Sequence, residues 1–443
     1  MPAAGAGGAG RDCGTGALRT VARRHNDVRG SGYRIHSTDD ESGPTRPVIT
    51  MRPTAPNDES PRSCEGSPME VLASGVMWDA RTAPLNQRSA SATSILLATD
   101  GTLLATCRLG TDREGADGHT AIFASTDGGD HWEMRYLGLA ERVWDDWPGE
   151  TRGWYLAELR PGELTASVLW TDRSDPAEAW VHPVTQGLLG MRVYQLVSTD
   201  GGRTWPTRRR IDLGAHEGAS STGEVVRLSD GTLAQPFEHW KARLDPSPGR
   251  PAAWLRLSPD EGRSWLDEVL VARHPEDLHY YWDQRLEAHP ADGRFVNMFW
   301  THDVTAGRDL DVHISWGTAD GRSWSTPVGT GLPGQHCQPV SLGGDRLVAL
   351  YTHRQDPPGI RAVLSEDFGK TWDRSTELVV WSSAEGDEPG AGRPRAQGEY
   401  WNDMGAWQFG HPRGARLADG SVVVVFYGGS ALARSARWAR IGP

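Results

Sequence analysis

One eight-residue phrase recurs along this chain of 443 residues and constrains its fold more than any other feature. The pattern Ser-x-Asp-x-Gly-x-x-Trp occurs as STDGGDHW at 125–132, STDGGRTW at 198–205, SPDEGRSW at 258–265 and SEDFGKTW at 365–372, with a degenerate copy, GTADGRSW, at 317–324. Its Asp can accept hydrogen bonds from its own turn, its Gly tolerates positive φ, and its Trp buries a large area. The phrase therefore predicts a structural turn, not a catalytic site.

A second repeat interleaves with the first. It consists of an apolar strand, a tight Asp-Gly-like turn and another apolar strand, which is typical of a β-hairpin. Six such hairpins lie at 96–108, 156–168, 225–237, 286–300, 340–351 and 415–427. Their spacing leaves room for four strands per period, so we predict an all-β, six-bladed β-propeller with four-stranded antiparallel blades. The N-terminal strand 71–78 would pair with 433–441 and close the last blade.

The predicted propeller occupies residues 69–443. Residues 1–68 are rich in Gly, Ala, Arg, Ser and Pro and lack periodic apolar residues, so we expect a disordered or mis-assigned N-terminal extension. This segment lacks the apolar stretch that forms the core of a secretory signal peptide. As written, the sequence predicts a cytoplasmic protein; a mis-assigned start would leave secretion open.

The net charge of −12 argues against nucleic acid or an anionic membrane as the main partner. No apolar run approaches the roughly 20 residues that a membrane-spanning helix needs. The four cysteines share no metal-ligand spacing. We therefore expect a monomer that binds a small ligand and needs no metal or cofactor.

The repeated phrase resembles the Asp box of the sialidase-like six-bladed propellers, and the resemblance covers about residues 69–443. It implies a glycoside hydrolase that removes a terminal, acidic sugar such as sialic acid, at the rim opposite the boxes. This fold also carries other functions. Two alternatives therefore stay open: a non-hydrolytic glycan-binding propeller, and a lyase or hydrolase acting on a polysaccharide that contains uronic acid.

Candidate site residues come from counting about eight positions from each hairpin turn to the far end of its strands. Glu238 and Asp283 are the candidate carboxylates of a hydrolase, and His411 is a candidate acid or base. The resemblance implies an acid/base Asp before the first box, a role that Asp112 or Asp117 would fill, Asp112 at the better distance. His411 stands where the family has its tyrosine nucleophile, which is a departure from the family pattern.

The expected ligand is a carbohydrate with a carboxylate. Three converging arginines hold a carboxylate well through charge-assisted hydrogen bonds, and the resemblance implies such a triad. The sequence offers Arg108, Arg285 and Arg354 for it, with Arg88 as an alternative to Arg108. The remaining predicted substrate-binding residues are His336, Tyr281, Tyr427 and Trp401.

Overall fold

The computed structural model describes residues 69–138, 141–383, 407–430 and 432–442. Within these ranges the chain forms β-strands and one short 3-10 turn at Leu85–Gln87. No helix among the described residues is long and apolar enough to cross a membrane. The predicted N-terminal extension, 1–68, and Trp401 lie outside the described residues, so the domain boundary stays a prediction.

All six predicted hairpins are present, because each apolar pair of segments folds into two antiparallel strands. The turn residues are local signals, and the alternating apolar residues give each strand a face that packs against a neighbouring sheet. The strands are β1 (Glu70–Trp78), β2 (Ser89–Leu97), β3 (Leu103–Gly110), β4 (His119–Ser125), β5 (Glu133–Leu137), β6 (Val143–Trp144), β7 (Trp147–Arg160), β8 (Glu163–Asp172), β9 (Met191–Ser198), β10 (Thr207–Ile211), β11 (Ala219–Ser220), β12 (Val226–Arg227), β13 (Leu233–His239), β14 (Ala252–Ser258), β15 (Asp267–Ala272), β16 (His279–Ala288), β17 (Phe295–Asp303), β18 (Arg308–Asp309), β19 (His313–Gly317), β20 (Val328–Gly329), β21 (Gln335–Gly343), β22 (Arg346–His353), β23 (Gly359–Ser365), β24 (Asp373–Ser382), β25 (Phe409–Arg416), β26 (Val422–Gly429) and β27 (Arg434–Gly442).

Within each repeat, strands that follow one another along the chain pair antiparallel and form one series of strands, called a run. The runs are β2-β3-β4-β5, β7-β8-β9-β10, β13-β14-β15 with β11 and β12 on β13, β16-β17-β19-β20, β21-β22-β23-β24 and β25-β26-β27. The first described strand completes the last run: β1 pairs with β27, with Val71 opposite Ile441 and Val76 opposite Arg437. The predicted pairing of the two ends of the domain is therefore present.

The hydrophobic core is divided among clusters that join one repeat to the next. Leu104 of the first repeat packs in one cluster with Leu156 of the second. Corresponding clusters join the second repeat to the third, the third to the fourth, the fourth to the fifth and the fifth to the sixth. Val423 of the sixth repeat packs with Leu103 of the first. Burial of apolar surface between neighbouring sheets therefore stabilises the arrangement of the repeats.

The Ser-x-Asp-x-Gly-x-x-Trp phrases form turns at the ends of the third strands, as predicted. In the first copy, Ser125 Oγ donates to Asp127 at 2.8 Å and accepts from Gly129 N–H at 2.9 Å. Asp127 also accepts from the backbone of His131 at 3.0 Å. The copies at 198–205, 258–265 and 365–372 repeat this pattern. These carboxylates are occupied by their own turns.

Candidate functional site

A cavity lies at the end of the strands away from these turns. In the first repeat, Ser125 of the phrase pairs with Leu103, whereas Arg108, at the other end of the same strand, lines the cavity. The cavity encloses about 880 Å³ when its open mouth is included. It is lined by Ser91, Ala92, Arg108, Arg113, Arg152, Tyr155, Leu169, Trp180, Leu188, Ser220, Thr222, Glu238, His239, Trp240, Trp282, Asp283, Trp300, His336 and His411.

Backbone irregularities in the first strands of the repeats aim several of these side chains at the cavity. The strand register slips at Ala92, Arg152, Asp283, His336 and His411, and each of these residues lines the cavity. In the third repeat, the break between β11 and β12 carries Thr222, which also lines it. A β-bulge redirects a side chain and is common beside active sites.

Three of the bulged residues have a left-handed backbone that is unfavourable outside glycine. The φ angles are 48° at Ala92, 50° at Asp283 and 52° at His411. Such a conformation costs roughly 1–2 kcal/mol per residue. Strain of this kind persists where the surrounding structure imposes it and is concentrated at functional sites. The bulges therefore mark the cavity as the candidate functional site.

Two carboxyl groups in the cavity have pKa values displaced in opposite directions. Burial, to which the charge of Asp283 adds, raises the pKa of Glu238 to about 8. Burial opposes ionisation of Asp283, yet His336 and the positive charge of Arg285 lower the pKa of Asp283 well below its usual range. At neutral pH, Glu238 is a carboxylic acid and Asp283 is a carboxylate. Such a pair can supply a general acid and an anion to one reaction.

The hydrogen bonds of the pair fit these protonation states. The backbone N–H of Gln284 donates to Oε1 of Glu238 at 2.8 Å, which leaves Oε2 to carry the proton. Asp283 Oδ2 lies 3.0 Å from Nε2 of His336. Arg285 is 3.6 Å from the other carboxylate oxygen of Asp283.

His336 and His411 form a pair of buried imidazoles in the same cavity. Their ring centroids are 4.0 Å apart. Burial lowers the pKa of both, so both rings are neutral at pH 7, and His336 then donates Nε2–H to Asp283. In the described part of the chain, no group of three or more His, Cys, Asp or Glu residues is arranged to hold a metal ion.

An arginine network forms one wall. Buried Glu150 binds Arg108 at 2.7 Å and Arg173 at 2.8 Å, and it lies 3.4 Å from Arg152. Glu114 forms ion pairs with Arg152 and Arg113. Burial by itself would raise the pKa of Glu114 and of Glu150, but the arginines outweigh it and lower both pKa values, so both carboxylates are charged. Four guanidinium groups face two carboxylates, which leaves a local charge of 4 − 2 = +2 beside the cavity.

The other walls are largely aromatic. Tyr155, Trp180, Trp240, Trp282 and Trp300 line the cavity. Trp282 meets Trp300 edge to face, with ring centroids 5.3 Å apart, and this packing fixes both rings. Flat apolar faces beside a few polar groups suit the binding of a sugar ring.

The structure brings together five predicted site residues. Arg108, Glu238, Asp283, His336 and His411 line this one cavity although they come from different repeats. The counting from hairpin turns therefore placed these five residues at the end of the strands where the cavity lies.

The other predicted residues do not line the cavity. Arg285 binds Thr222 Oγ1 at 2.9 Å, and Arg354 binds Gln335 at 2.9 Å and lies over Trp407. Thus the three predicted arginines do not converge on it, and exposed Arg88 does not line it either.

Asp112 and the two tyrosines also lie elsewhere. Asp112 is exposed, and its carboxylate accepts the backbone N–H groups of Glu114 and Gly115 in its own loop. Tyr281 packs in the core with Phe299, and Tyr427 is buried in another core cluster. Trp401 is outside the described residues.

Sequence reasoning missed three important wall residues. Arg113 and Arg152 supply guanidinium groups, and Trp180 comes from a long connection between β8 and β9. The extra length of segment 171–187 does predict that this insertion builds a pocket wall, but it does not single out Trp180. Arg152 sits at a bulge, for which the sequence carries no clear signal.

Fold and site together define a repeat-built, all-β protein with a polar and aromatic cavity at the end of its strands. The chain belongs to the BNR repeat-like domain family, whose profile matches residues 162–424, and this confirms the expected kinship with sialidase-like BNR-repeat proteins. None of the curated proteins matches the chain.

Several solved structures share the fold. A Dyadobacter fermentans protein of unknown function is 17% identical, with a TM-score of 0.63 over 84% of this chain and 98% of that one. A Penicillium chrysogenum alpha-L-arabinanase complexed with arabinobiose is 12% identical, with a TM-score of 0.55 over 84% and 98%. A leech intramolecular trans-sialidase is 11% identical, with a TM-score of 0.55 over 83% and 70%. The latter two are β-propeller glycosidases. At these identities the likeness establishes the fold alone.

Proposed function

We propose that this protein is a glycoside hydrolase that removes a terminal, acidic sugar. The observation that carries the proposal is the pair Glu238 and Asp283, which line one cavity and have pKa values shifted in opposite directions. Membership of the BNR repeat-like family and the shared fold of an arabinanase and a trans-sialidase support it.

In this mechanism Glu238 protonates the oxygen that leaves the anomeric carbon. The C–O bond breaks as that proton is transferred, and positive charge develops on the sugar ring. The carboxylate of Asp283 stabilises this charge. Water then forms the new C–O bond and gives a proton to the Glu238 carboxylate, which restores the acid. His336 holds Asp283 in its ionised form through their hydrogen bond. Aromatic rings such as Trp282 and Trp300 orient the sugar.

The arginine wall supports an acidic substrate. Arg108, Arg113 and Arg152 line the cavity, and the network to which they belong keeps an excess of two positive charges. A low-dielectric wall of this charge favours an anionic sugar over a neutral one. We propose sialic acid or a uronic acid as the terminal sugar.

The test is release of umbelliferone from its glycosides of N-acetylneuraminic acid, glucuronic acid, arabinofuranose and galactose. We expect turnover of an acidic glycoside. Glu238→Gln and Asp283→Asn should each lower kcat by roughly 10²- to 10⁴-fold. Asp200→Asn, in a turn at the other end of the strands, is the matched carboxylate control and should keep kcat. No turnover of any glycoside, or full activity of Glu238→Gln, would overturn the proposal.

A lyase for uronic-acid polymers is the second candidate, and the pair of neutral histidines favours it. His336, oriented by Asp283, has a free acceptor in Nδ1 and could take the proton next to a uronate carboxylate while the C–O bond to the leaving sugar breaks. The product would be an unsaturated uronate. Its ultraviolet absorbance during polymer digestion separates this reaction from hydrolysis, which forms no such chromophore.

We also propose that the six repeats form the six blades of one propeller. The chain of core clusters, in which each repeat packs on the next and the sixth packs on the first, supports this arrangement. An experimental structure of residues 69–443 would test it by the number of blades around the axis.

A further inference from the structure

A second cavity lies beside the first and shares a wall with it. It encloses about 740 Å³ with its open mouth included, and Trp240 lines both cavities. Its other walls come from the β8–β9 connection, the segment that follows β13, strand β16 and the segment that follows β17. They are Val184, Thr185, Gln186, Lys241, Pro246, Ser247, Pro248, Tyr280 and Val304.

The β8–β9 connection and the segment that follows β13 are held together by specific contacts. Trp240 donates its indole N–H to the carbonyl of Gln186 at 2.8 Å, and Thr185 donates to the carbonyl of Arg243. At Gly187 the backbones approach so closely that a Cβ would lie 2.2 Å from the carbonyl oxygen of Ala242. The second cavity is therefore built by specific contacts between the loops and by a required glycine.

Lys241 places a positive charge in the wall of this cavity. The residue is 8% exposed, and its ammonium lies 5.3 Å from the ring centre of Trp240. Its described hydrogen bond goes to the carbonyl of Ser247 at 2.5 Å. Among the described residues, no carboxylate lies within ion-pair distance of it. The nearby Asp245 accepts two hydrogen bonds from Ser247, and its charge acts on Lys241 from beyond ion-pair distance.

An ammonium group has three N–H donors, so two remain for a ligand. A largely buried charge that is compensated only from a distance is costly, and an anionic ligand would relieve that cost. Trp240 and Tyr280, whose rings meet edge to face at 4.7 Å, add aromatic surface in the same wall. An aromatic wall combined with an ammonium group that has no carboxylate within ion-pair distance among the described residues fits an anionic sugar.

We propose that the second cavity binds an anionic sugar unit next to the one in the main cavity, and that Lys241 binds its carboxylate or sulfate ester. This proposal deepens the proposed hydrolase, since it rests on a sugar substrate that extends past Trp240. It defines the substrate as an acidic oligosaccharide in which the neighbouring unit also carries a negative charge.

Equilibrium binding tests the proposal without turnover. Trigalacturonate, a sulfated galactan trisaccharide and neutral galactotriose would each be titrated into the full chain carrying Glu238→Gln, by calorimetry. We expect at least one acidic trisaccharide to bind tighter than galactotriose. Lys241→Met should weaken that binding by roughly tenfold or more, and Lys241→Arg should restore much of it. The two acidic ligands distinguish a carboxylate from a sulfate ester.

Lys370→Met is the matched control. Lys370 is the other lysine of the chain and lies exposed on a Ser-x-Asp-x-Gly-x-x-Trp turn, so its loss removes the same charge far from the cavities. Its substitution should leave the affinity unchanged. Equal binding by Lys241→Met and the parent protein, no binding of either acidic trisaccharide, or equal binding of galactotriose would each overturn the proposal.

A second readout uses the parent protein and does not depend on the folding of Lys241→Met. Reductive ¹³C-methylation labels the two lysines, and Lys370→Met assigns their signals. The Lys241 signal should shift on addition of the acidic trisaccharide that binds, and an unchanged signal would overturn the proposal. Failure of the hydrolase proposal would be seen as absence of turnover by the wild-type chain, which is separate from both binding results.

Discussion

The Nε2 atom of His336 lies 3.0 Å from Oδ2 of Asp283, in a cavity that also holds the carboxyl group of Glu238. A neutral imidazole that donates to a carboxylate stabilises its ionised form. The same negative charge helps to keep Glu238 protonated. His336 thus helps to keep Asp283 as the anion, and the charge of Asp283 helps to keep Glu238 as the protonated acid.

Activity should fall as the pH rises through about 8, because Glu238 then loses the proton that it donates. The measurement is the alkaline limb of the kcat profile on a glycoside that the wild type cleaves. Glu287→Gln is the matched control, since burial also raises the pKa of Glu287 to about 8 but Glu287 does not line the cavity. An alkaline limb that disappears in Glu287→Gln would contradict the assignment to Glu238.

Replacement of His336 should move the acid limb of the profile. His336→Ala removes the partner that lowers the pKa of Asp283, so that pKa rises and activity is lost at a higher pH than in the wild type. His336→Gln offers an N–H donor in place of the imidazole and should shift the limb less. An acid limb at the wild-type position in His336→Ala would show that another group controls it.

Glu150→Gln should strongly destabilise the fold. The Glu150 carboxylate is fully buried and binds Arg108 and Arg173, so its neutralisation leaves buried guanidinium charges uncompensated. We expect a loss of about 3–5 kcal/mol in the free energy of unfolding, measured with denaturant. The half-exposed pair Arg160–Glu163 is the control, and Glu163→Gln should cost less than about 1 kcal/mol.

Asp200→Ala should lower the melting temperature by a few degrees and leave kcat/KM unchanged. Its carboxylate accepts hydrogen bonds from the backbone and side chain of Thr204, which shape the turn after β9. Asp200→Asn keeps acceptor capacity and should be less damaging. A large loss of kcat/KM in a folded Asp200→Ala protein would contradict the structural role of the repeated phrase.

The contribution of Glu287 to the stability of the fold should decrease between about pH 5 and pH 8. Burial raises the pKa of Glu287 from the ordinary 4.5 to about 8, so in this range the folded state binds more protons than the unfolded state. This contribution then declines with pH, because the slope of stability with pH follows the proton difference between the unfolded and folded states. Glu287→Gln removes this contribution. The melting temperature of Glu287→Gln minus that of the wild type should therefore increase as the pH rises. A difference between the two melting temperatures that stays constant with pH would contradict the prediction.

The strands and turns were predictable because their signals are local. All the hydrogen bonds that shape the first phrase connect residues between Ser125 and His131. The end of the strands at which Glu238 and His411 lie was also predictable, since strand length fixes how far a residue stands from the hairpin turn. Counting therefore found the correct end for both.

Side-chain direction was harder to predict than position along a strand. Tyr281 and Trp282 are neighbours, yet Tyr281 packs in the core and Trp282 lines the cavity. Alternation along a strand makes an error of one residue sufficient to reverse the side. Bulges at Asp283 and His411 then change the alternation itself.

The sequence by itself determined the repeated hairpins, the turns that stabilise them and the end of the strands at which side chains gather. Only the tertiary structure decided which charges meet there. Glu150 on β7 binds Arg108 of β3 and Arg173, which follows β8, and Asp283 of the fourth repeat meets His336 of the fifth. Such partners are distant in sequence, and the pKa of each group depends on the burial and charge that its partners create in space.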